Sequence, residues 1–136
     1  MSVDLEIGDA LPPLKHTATA TQLFRYSATT WNPHRIHFDE SYAREEGHDG
    51  LALHSHLRAA LALRCITEGL GPEWHVTKFE YRLRMPVYAP ADLAYTARVA
   101  AADGDTLTLE LVEESRSGDR GFEGTAWVRR NAGAQR

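Results

Sequence analysis

The chain has little cysteine, no long apolar run and no excess of basic residues, and each absence excludes a class of protein. Cys65 is the only cysteine, so an internal disulfide and the common cysteine-rich zinc sites are excluded. No apolar run approaches the roughly 18 residues that a membrane-spanning helix needs. The formal net charge is -4, whereas a nucleic-acid-binding protein is expected to carry a basic face. We therefore expect a protein that binds neither nucleic acid nor a membrane.

The N-terminal segment, MSVDLEIGDALPPL, is acidic and lacks the apolar core of a signal peptide. Together with the single cysteine, this favours a reduced, cytoplasmic setting. The length of 136 residues, with 43% apolar and 25% charged residues, is ordinary for a globular protein. We expect residues 1–136 to form one domain.

Helical patterns occupy the first half of the chain. Thr19 and Gln22 have the spacing of a capping box and predict a helix that runs to about Thr29. Glu40 to Glu45 can form a further turn or two of helix. The strongest helical signal covers His54 to about Glu68, where leucines and Cys65 recur every four residues and predict an apolar stripe.

The second half of the chain changes to a period of two, which is typical of strands. Apolar residues from Phe79 to Met85 alternate with charged ones and predict a half-buried strand. Three more strands are expected, separated by turn residues at 103–105 and 117–119. The fold class is therefore α+β, and an antiparallel sheet wrapped around one long central helix, the hot-dog arrangement, would bury the leucine stripe. A cystatin-like sheet on a helix also fits this pattern.

The side chains best suited to catalysis lie together in the segment NPHRIHFD, residues 32–39. Pro33 disfavours a helical conformation at Asn32, so the segment is expected to be an ordered loop that follows a helix. Loops held by a rigid scaffold are common positions for catalytic groups. A His-x-x-His pair is by itself more often structural, and Asp39 could simply cap the next short helix.

Two longer segments carry a family resemblance. Residues 24–39, FRYSATTWNPHRIHFD, followed by Tyr42-Ala43 and by residues 50–57, GLALHSHL, resemble the hydratase motif of MaoC-like hot-dog proteins. The similar branch includes mesaconyl-C4-CoA and itaconyl-CoA hydratases and 3-hydroxyacyl-thioester dehydratases. The resemblance covers about residues 20–62, and many members of that branch are twice as long as this chain.

The motif differs in detail from that of the R-specific enoyl-CoA hydratases, which pair an aspartate with a histidine. His37 matches the family histidine, but Asn32 stands where that group has its aspartate, and His34 stands where it has asparagine. Ser55 replaces the glycine that usually begins the central helix.

The resemblance implies a lyase that adds water to an enoyl thioester or removes it from a 3-hydroxyacyl thioester. His37 is expected to be the general base, and Asn32 to hold a water or orient a histidine. His34 could take part in the proton transfers. Arg35 could bind an anionic group, or it could instead form a salt bridge at the surface. The enolate oxygen is expected at the N-terminus of the central helix, on N–H groups near His54 to His56. Those two histidines could instead be a helix cap and a packed core group.

No cofactor and no metal are expected, because members of this family need none and coenzyme A or an acyl carrier is part of the substrate. The partner is expected to be a second hot-dog chain, as a homodimer or in a heterodimer or tetramer. Two other functions stay open. One is a catalytically degenerate subunit that completes a heteromeric dehydratase, which Asn32 favours. The other is an acyl-CoA thioesterase, which the absence of an acidic residue between Leu51 and Thr67 disfavours.

Overall fold

The computed structural model describes residues 4–133 as one antiparallel sheet with a long helix against it. The helices and strands follow in chain order: β1 (Leu14–Ala18), α1 (Ala20–Thr30), a 3₁₀ turn (Arg35–His37), α2 (Glu40–Glu45), β2 (Leu51–Ala52), α3 (Ser55–Leu70), β3 (Trp74–Leu83), β4 (Tyr88–Ala89), β5 (Ala91–Asp103), β6 (Thr106–Ser115) and β7 (Arg120–Arg130). The order of strands in the main sheet is β1-β5-β6-β7-β3, and β2 pairs with β4 in a separate two-stranded sheet.

The core lies between α3 and the inner face of the main sheet. Leu57, Leu61 and Cys65 on α3 are buried, as the four-residue spacing of the apolar stripe predicts. The sheet meets them with alternate residues, so Leu107 and Leu109 of β6 are buried while Thr108 between them is only partly buried. This is the hot-dog arrangement, and the fold predicted from the sequence is confirmed.

The two short helices set the position of the segment between them. The Thr19 hydroxyl accepts a hydrogen bond from the Gln22 N–H (3.2 Å) and caps α1, as the capping-box pattern predicts. The Asp39 carboxylate accepts from the Tyr42 N–H (3.1 Å) and caps α2. Residues 32–39 are therefore held at both ends by capped helices.

The expectation of a half-buried strand from Phe79 to Met85 is wrong for its second half. Tyr81, Leu83 and Met85 are 38%, 42% and 41% exposed. The reason is topological, because β3 lies at the edge of the sheet and pairs only with β7. The small sheet formed by β2 and β4 was not predicted, since two-residue strands carry no periodic signal.

In residues 4–133, no helix has both the length and the apolar character needed to cross a membrane.

We predict that Leu61→Ala lowers the free energy of unfolding by roughly 2–5 kcal/mol, because it removes buried methyl groups from α3 and leaves a cavity. Urea denaturation followed by far-ultraviolet circular dichroism measures this change. Ile7→Ala is the matched control, since Ile7 is 69% exposed and an exposed truncation should alter stability by no more than about 0.5 kcal/mol. Equal effects of the two substitutions would show that the stripe on α3 is not the core.

Candidate active site

The loop after α1 begins with an unusual backbone conformation. Trp31 ends the helix in the left-handed region, with φ 56° and ψ 42°, which turns the chain sharply. The Asn32 side-chain oxygen then accepts a hydrogen bond from the His34 N–H (3.3 Å), across Pro33. This closes an Asx-type turn and fixes the side chain of Asn32. Its amide nitrogen has no acceptor within the described residues, so it is available to a ligand.

His37 is buried and anchored through one ring nitrogen. Its Nδ1 lies 2.6 Å from the carbonyl oxygen of Ala52. A carbonyl oxygen can only accept, so Nδ1 carries the hydrogen and Nε2 keeps the lone pair. The contact joins the 3₁₀ turn to the strand that leads into α3, and it fixes the tautomer of a potential base.

His54 stacks on His37 and precedes α3. The two imidazole rings lie 3.7 Å apart between centroids and are inclined by 18°. Nε2 of His54 shares a 2.7 Å hydrogen bond with the hydroxyl of Ser27 on α1. Nδ1 of His54 is buried and has no partner in the described part of the chain. The stacked pair therefore ties α1, the 3₁₀ turn and the start of α3 together.

Burial keeps both stacked histidines neutral. Desolvation, followed by the neighbouring His37 and His56, lowers the pKa of His54 from 6.5 to about 4. Desolvation also lowers the pKa of His37, although its bond to the Ala52 carbonyl acts in the opposite direction. At neutral pH, His37 therefore has an unprotonated Nε2.

An open cavity of about 510 Å³ lies over this pair. Asn32, His37, His54, Ser55 and His56 all line it. The first N–H groups of α3 have no intrahelical acceptor, and Arg58 is the first residue whose N–H bonds back, to the His54 carbonyl (3.1 Å). The N-terminal N–H groups of a long helix favour negative charge, so the cavity holds a neutral imidazole base beside anion-stabilising donors.

Two of the residues proposed from the sequence are not brought to the cavity. Arg35 is exposed and forms an ion pair with Asp39 (2.7 Å), while its guanidinium lies 4.6 Å from the centre of the Tyr42 ring. His34 caps the 3₁₀ turn, and its ring lies 5.9 Å from that of His37 without lining the cavity. Arg35 and His34 are close to His37 in the sequence, but they do not line the cavity that His37 lines.

Three residues that sequence reasoning did not single out belong to the site. Ser27 holds His54, His48 lines the cavity and bonds through Nδ1 to the Tyr88 hydroxyl (3.1 Å), and Arg58 lines the cavity from the first turn of α3. Arg58 did carry a signal, since it is an arginine between two buried positions of an apolar helix. Ser27 carried none, because its partner is 27 residues away.

No group of three or more histidine, cysteine, aspartate or glutamate side chains in residues 4–133 is arranged to hold a metal ion. His37 and His54 are instead engaged in ring stacking and in hydrogen bonds to a hydroxyl or a carbonyl.

Comparison with known proteins identifies a family whose model matches the part of the chain that contains most of the site. Residues 9–89 match the family model described as hydroxyacyl-thioester dehydratase type 2. The chain is also 36% identical, over 107 residues, to the mesaconyl-C(4)-CoA hydratase of Chloroflexus aurantiacus. The matched part is 74% of this chain but only 36% of that relative, so the chain spans little more than a third of its length.

Solved structures share the fold at low sequence identity. The ChsH1-ChsH2 complex of Mycobacterium tuberculosis contains a chain that superposes with a TM-score of 0.86 at 21% identity, covering 93% of this chain and 98% of that one. The (R)-hydratase from A. caviae involved in PHA biosynthesis gives a TM-score of 0.86 at 20% identity, with the same coverage of 93% and 98%. At such identities the likeness establishes the fold alone.

We predict that the folded protein loses stability as the pH falls from about 6.5 towards 4. The pKa of His54 is lowered by burial to about 4 in the folded state, so the unfolded chain, with its ordinary value near 6.5, binds the proton first and is favoured by acid. Urea midpoints measured between pH 7 and pH 4.5 test this, and His54→Gln should reduce the slope. His75→Gln, at an exposed position, is the control; an unchanged slope in His54→Gln would contradict the prediction.

Proposed function

The chain belongs to the hydroxyacyl-thioester dehydratase type 2 family, and we propose that it catalyses the reversible addition of water to a 2-enoyl thioester of coenzyme A. The observation that carries the proposal is the geometry of His37. Its Nδ1 is fixed by the Ala52 carbonyl, its Nε2 is unprotonated, and the same cavity holds the free N–H groups at the start of α3.

His37 is the general base of the proposed reaction. Its Nε2 takes a proton from water while the water oxygen forms a bond to the β-carbon of the enoyl group, and the double bond shifts to make an enolate. The imidazolium then returns a proton to the α-carbon, which regenerates neutral His37 and leaves a 3-hydroxyacyl thioester. The reverse sequence is the dehydration. The lowered pKa of His37 suits both directions, since the ring binds a proton only transiently.

Asn32 holds the attacking water in this scheme. Because its side-chain oxygen is bonded to the His34 N–H, its NH₂ group faces a ligand as a donor and can bind a water lone pair. An aspartate at this position would offer a second acceptor instead and could itself take a proton. The asparagine therefore leaves His37 as the titrating group of the site.

The enolate oxygen is stabilised by the start of α3. The backbone N–H groups near Ser55 and His56 are free of intrahelical partners and are the proposed oxyanion donors. Ser55 has a backbone N–H just as a glycine at this position would. His54 precedes α3, and its hydrogen bond to Ser27 holds the start of the helix in position. No metal or other cofactor is needed, because base, water and donors complete the reaction.

The named relatives support the reaction class. The family description specifies a hydroxyacyl-thioester dehydratase, and the Chloroflexus relative is a hydratase of a coenzyme A thioester. Since the chain covers only 36% of that relative, the activity is proposed for this chain alone or together with a second chain.

A second hot-dog chain is the proposed partner. β3 is an edge strand with unpaired backbone groups, and Tyr81 and Leu83 on it and Met85 just after it are exposed apolar side chains. Such an edge is normally covered in a folded protein. Leu83 and Met85 also line the cavity, so a chain that covers this edge would close one wall of the site.

One observation favours a second function, that of an inactive subunit in a heteromeric dehydratase. Asn32 cannot titrate, whereas an aspartate is expected there in R-specific hydratases. A thioesterase has no such support, because none of the cavity-lining residues that the structure describes is acidic.

We predict that the purified protein decreases the enoyl absorbance of crotonyl-CoA, and that His37→Gln lowers kcat by at least about 100-fold through loss of the base. The rate of the wild type should fall at acidic pH, since protonation of His37 removes the lone pair. Its lowered pKa places this decline below pH 6.5.

Asn32→Asp is the companion variant and should retain measurable activity, because aspartate can also hold the water. Turnover that needs a second hot-dog chain and is unchanged by His37→Gln in this chain would support the inactive-subunit function. A fully active His37→Gln protein would exclude His37 as the base.

We predict that the wild type sediments as at least a dimer and that Leu83→Lys shifts it towards the monomer, because a charge at the edge of β3 opposes pairing. Sedimentation-velocity ultracentrifugation measures the shift. Ile7→Lys provides the control at another exposed apolar position. Monomeric wild type at all concentrations would rule out self-association.

A further inference from the structure

A buried ion pair contributes its arginine to the cavity wall. Arg58 on α3 is 2% exposed and Glu113 on β6 is 1% exposed, and two hydrogen bonds of 3.0 and 2.6 Å join the guanidinium to the carboxylate. The Tyr95 hydroxyl donates to the same carboxylate (2.6 Å). Burial, followed by the charge of Glu113, raises the pKa of Tyr95, so this hydroxyl keeps its hydrogen. Both oxygens of the carboxylate are therefore hydrogen-bonded.

Such a pair has no clear advantage for stability. Removing two charges from water costs several kcal/mol per ion, and well-packed apolar residues of similar volume are often at least as stable. The proposed hydration chemistry does not use the pair either, because the base and the oxyanion donors lie elsewhere in the cavity. A buried pair of this kind at a cavity invites a functional explanation.

The guanidinium keeps one donor for a ligand. Two of its bonds go to Glu113, one to the Met85 carbonyl (3.0 Å) and one to the Gly121 carbonyl (2.9 Å). Arginine has five N–H groups, so one hydrogen on Nη1 has no acceptor among the described residues. Arg58 itself lines the cavity, whereas Glu113 does not. The pair is thus a fixed dipole whose positive end belongs to the cavity wall.

The other charged residue of the cavity wall is also an arginine. Arg84 also lines the cavity and is paired with Glu123, which does not line it. Within the described chain, no aspartate or glutamate belongs to this wall. The surface that meets a substrate therefore offers two guanidinium groups and no carboxylate.

The position of Arg58 along α3 fits the far end of a short acyl group. Arg58 follows Ser55 by three residues, so both lie on one face of the helix, about 4.5 Å apart along its axis. A thioester whose carbonyl oxygen is bound at the start of α3 would bring the end of a four-carbon acyl chain near the level of Arg58.

We infer that Arg58, oriented by Glu113, is a specificity-determining residue that binds a carboxylate at the end of a short acyl group. The inference depends on the proposed function, since it assumes that the cavity takes an acyl thioester. It assigns the free Nη1 hydrogen to a substrate oxygen and leaves the hydration steps unchanged.

Two saturated thioesters, succinyl-CoA and butyryl-CoA, test the inference without any turnover. They differ only in a terminal carboxylate in place of a methyl group, and neither has a double bond to hydrate. Isothermal titration should give a Kd for succinyl-CoA at least about tenfold lower than for butyryl-CoA, the effect of one charge-assisted hydrogen bond. Equal affinities, or no binding of either ligand, would overturn the inference.

Two variants should move this ratio in opposite directions. Arg58→Met combined with Glu113→Gln removes both charges while keeping the volume, and the preference for succinyl-CoA should disappear. Glu113→Gln alone leaves the arginine without its counter-charge, and the preference should increase. Thermal melts followed by circular dichroism establish that each variant is folded. A ratio unchanged in whichever variant folds would contradict the role of Arg58.

The outcome is separate from that of the hydratase proposal. A preference for succinyl-CoA without turnover of either crotonyl-CoA or mesaconyl-C4-CoA, an enoyl thioester that carries a free carboxylate, would support the acyl site while rejecting hydration. Turnover of crotonyl-CoA with no preference between the saturated ligands would support hydration and reject the role of Arg58.

Discussion

The hydrogen bond from the His37 imidazole to the Ala52 carbonyl is the contact on which the site depends. It crosses from the 3₁₀ turn to the strand that leads into α3, two segments that the chain separates by a helix and a glycine-rich turn. The bond settles which ring nitrogen has the hydrogen and brings His37 to within stacking distance of His54. Without it, the base and the helix start would be two unrelated features of the surface.

The fold supplies what this contact needs. α3 is held by its apolar face against the sheet, so its first residues stay in place at the mouth of the cavity. α1 lends a hydroxyl, that of Ser27, to the second imidazole. Burying two neutral rings in this way makes the site dependent on pH. A protonated ring would carry a positive charge in a buried position, close to the second imidazole, and both conditions disfavour the charged form.

Much of this arrangement could be predicted from the sequence, and the limits are physical. Period-four leucines predicted α3, period-two leucines predicted the sheet, and the hydroxyl at Thr19 predicted a cap, since each is a local pattern. Which face of Asn32 is free could not be predicted, because it depends on a turn closed by the His34 N–H. Long-range pairs escape sequence reasoning in general.

Glu113 illustrates both sides of this limit. It continues the inward row of Leu107, Leu109 and Leu111 on β6, so the alternation carried a signal for a carboxylate facing the core, although none was predicted there. Its partner Arg58 lies 55 residues away, and only the fold brings them together. The exposed part of β3 was missed for a related reason, since alternation predicts two faces but not which strand is at the edge.

The lack of a side chain at Gly121 has an evolutionary consequence. A Cβ atom there would lie 2.8 Å from Nη2 of Arg58, closer than real Cβ contacts, and 3.1 Å from Oε1 of Glu113, which is a tight contact. A larger residue at position 121 therefore requires the guanidinium of Arg58 to shift or to be absent. Substitutions at 58 and 121 are therefore coupled by sterics at a single backbone position.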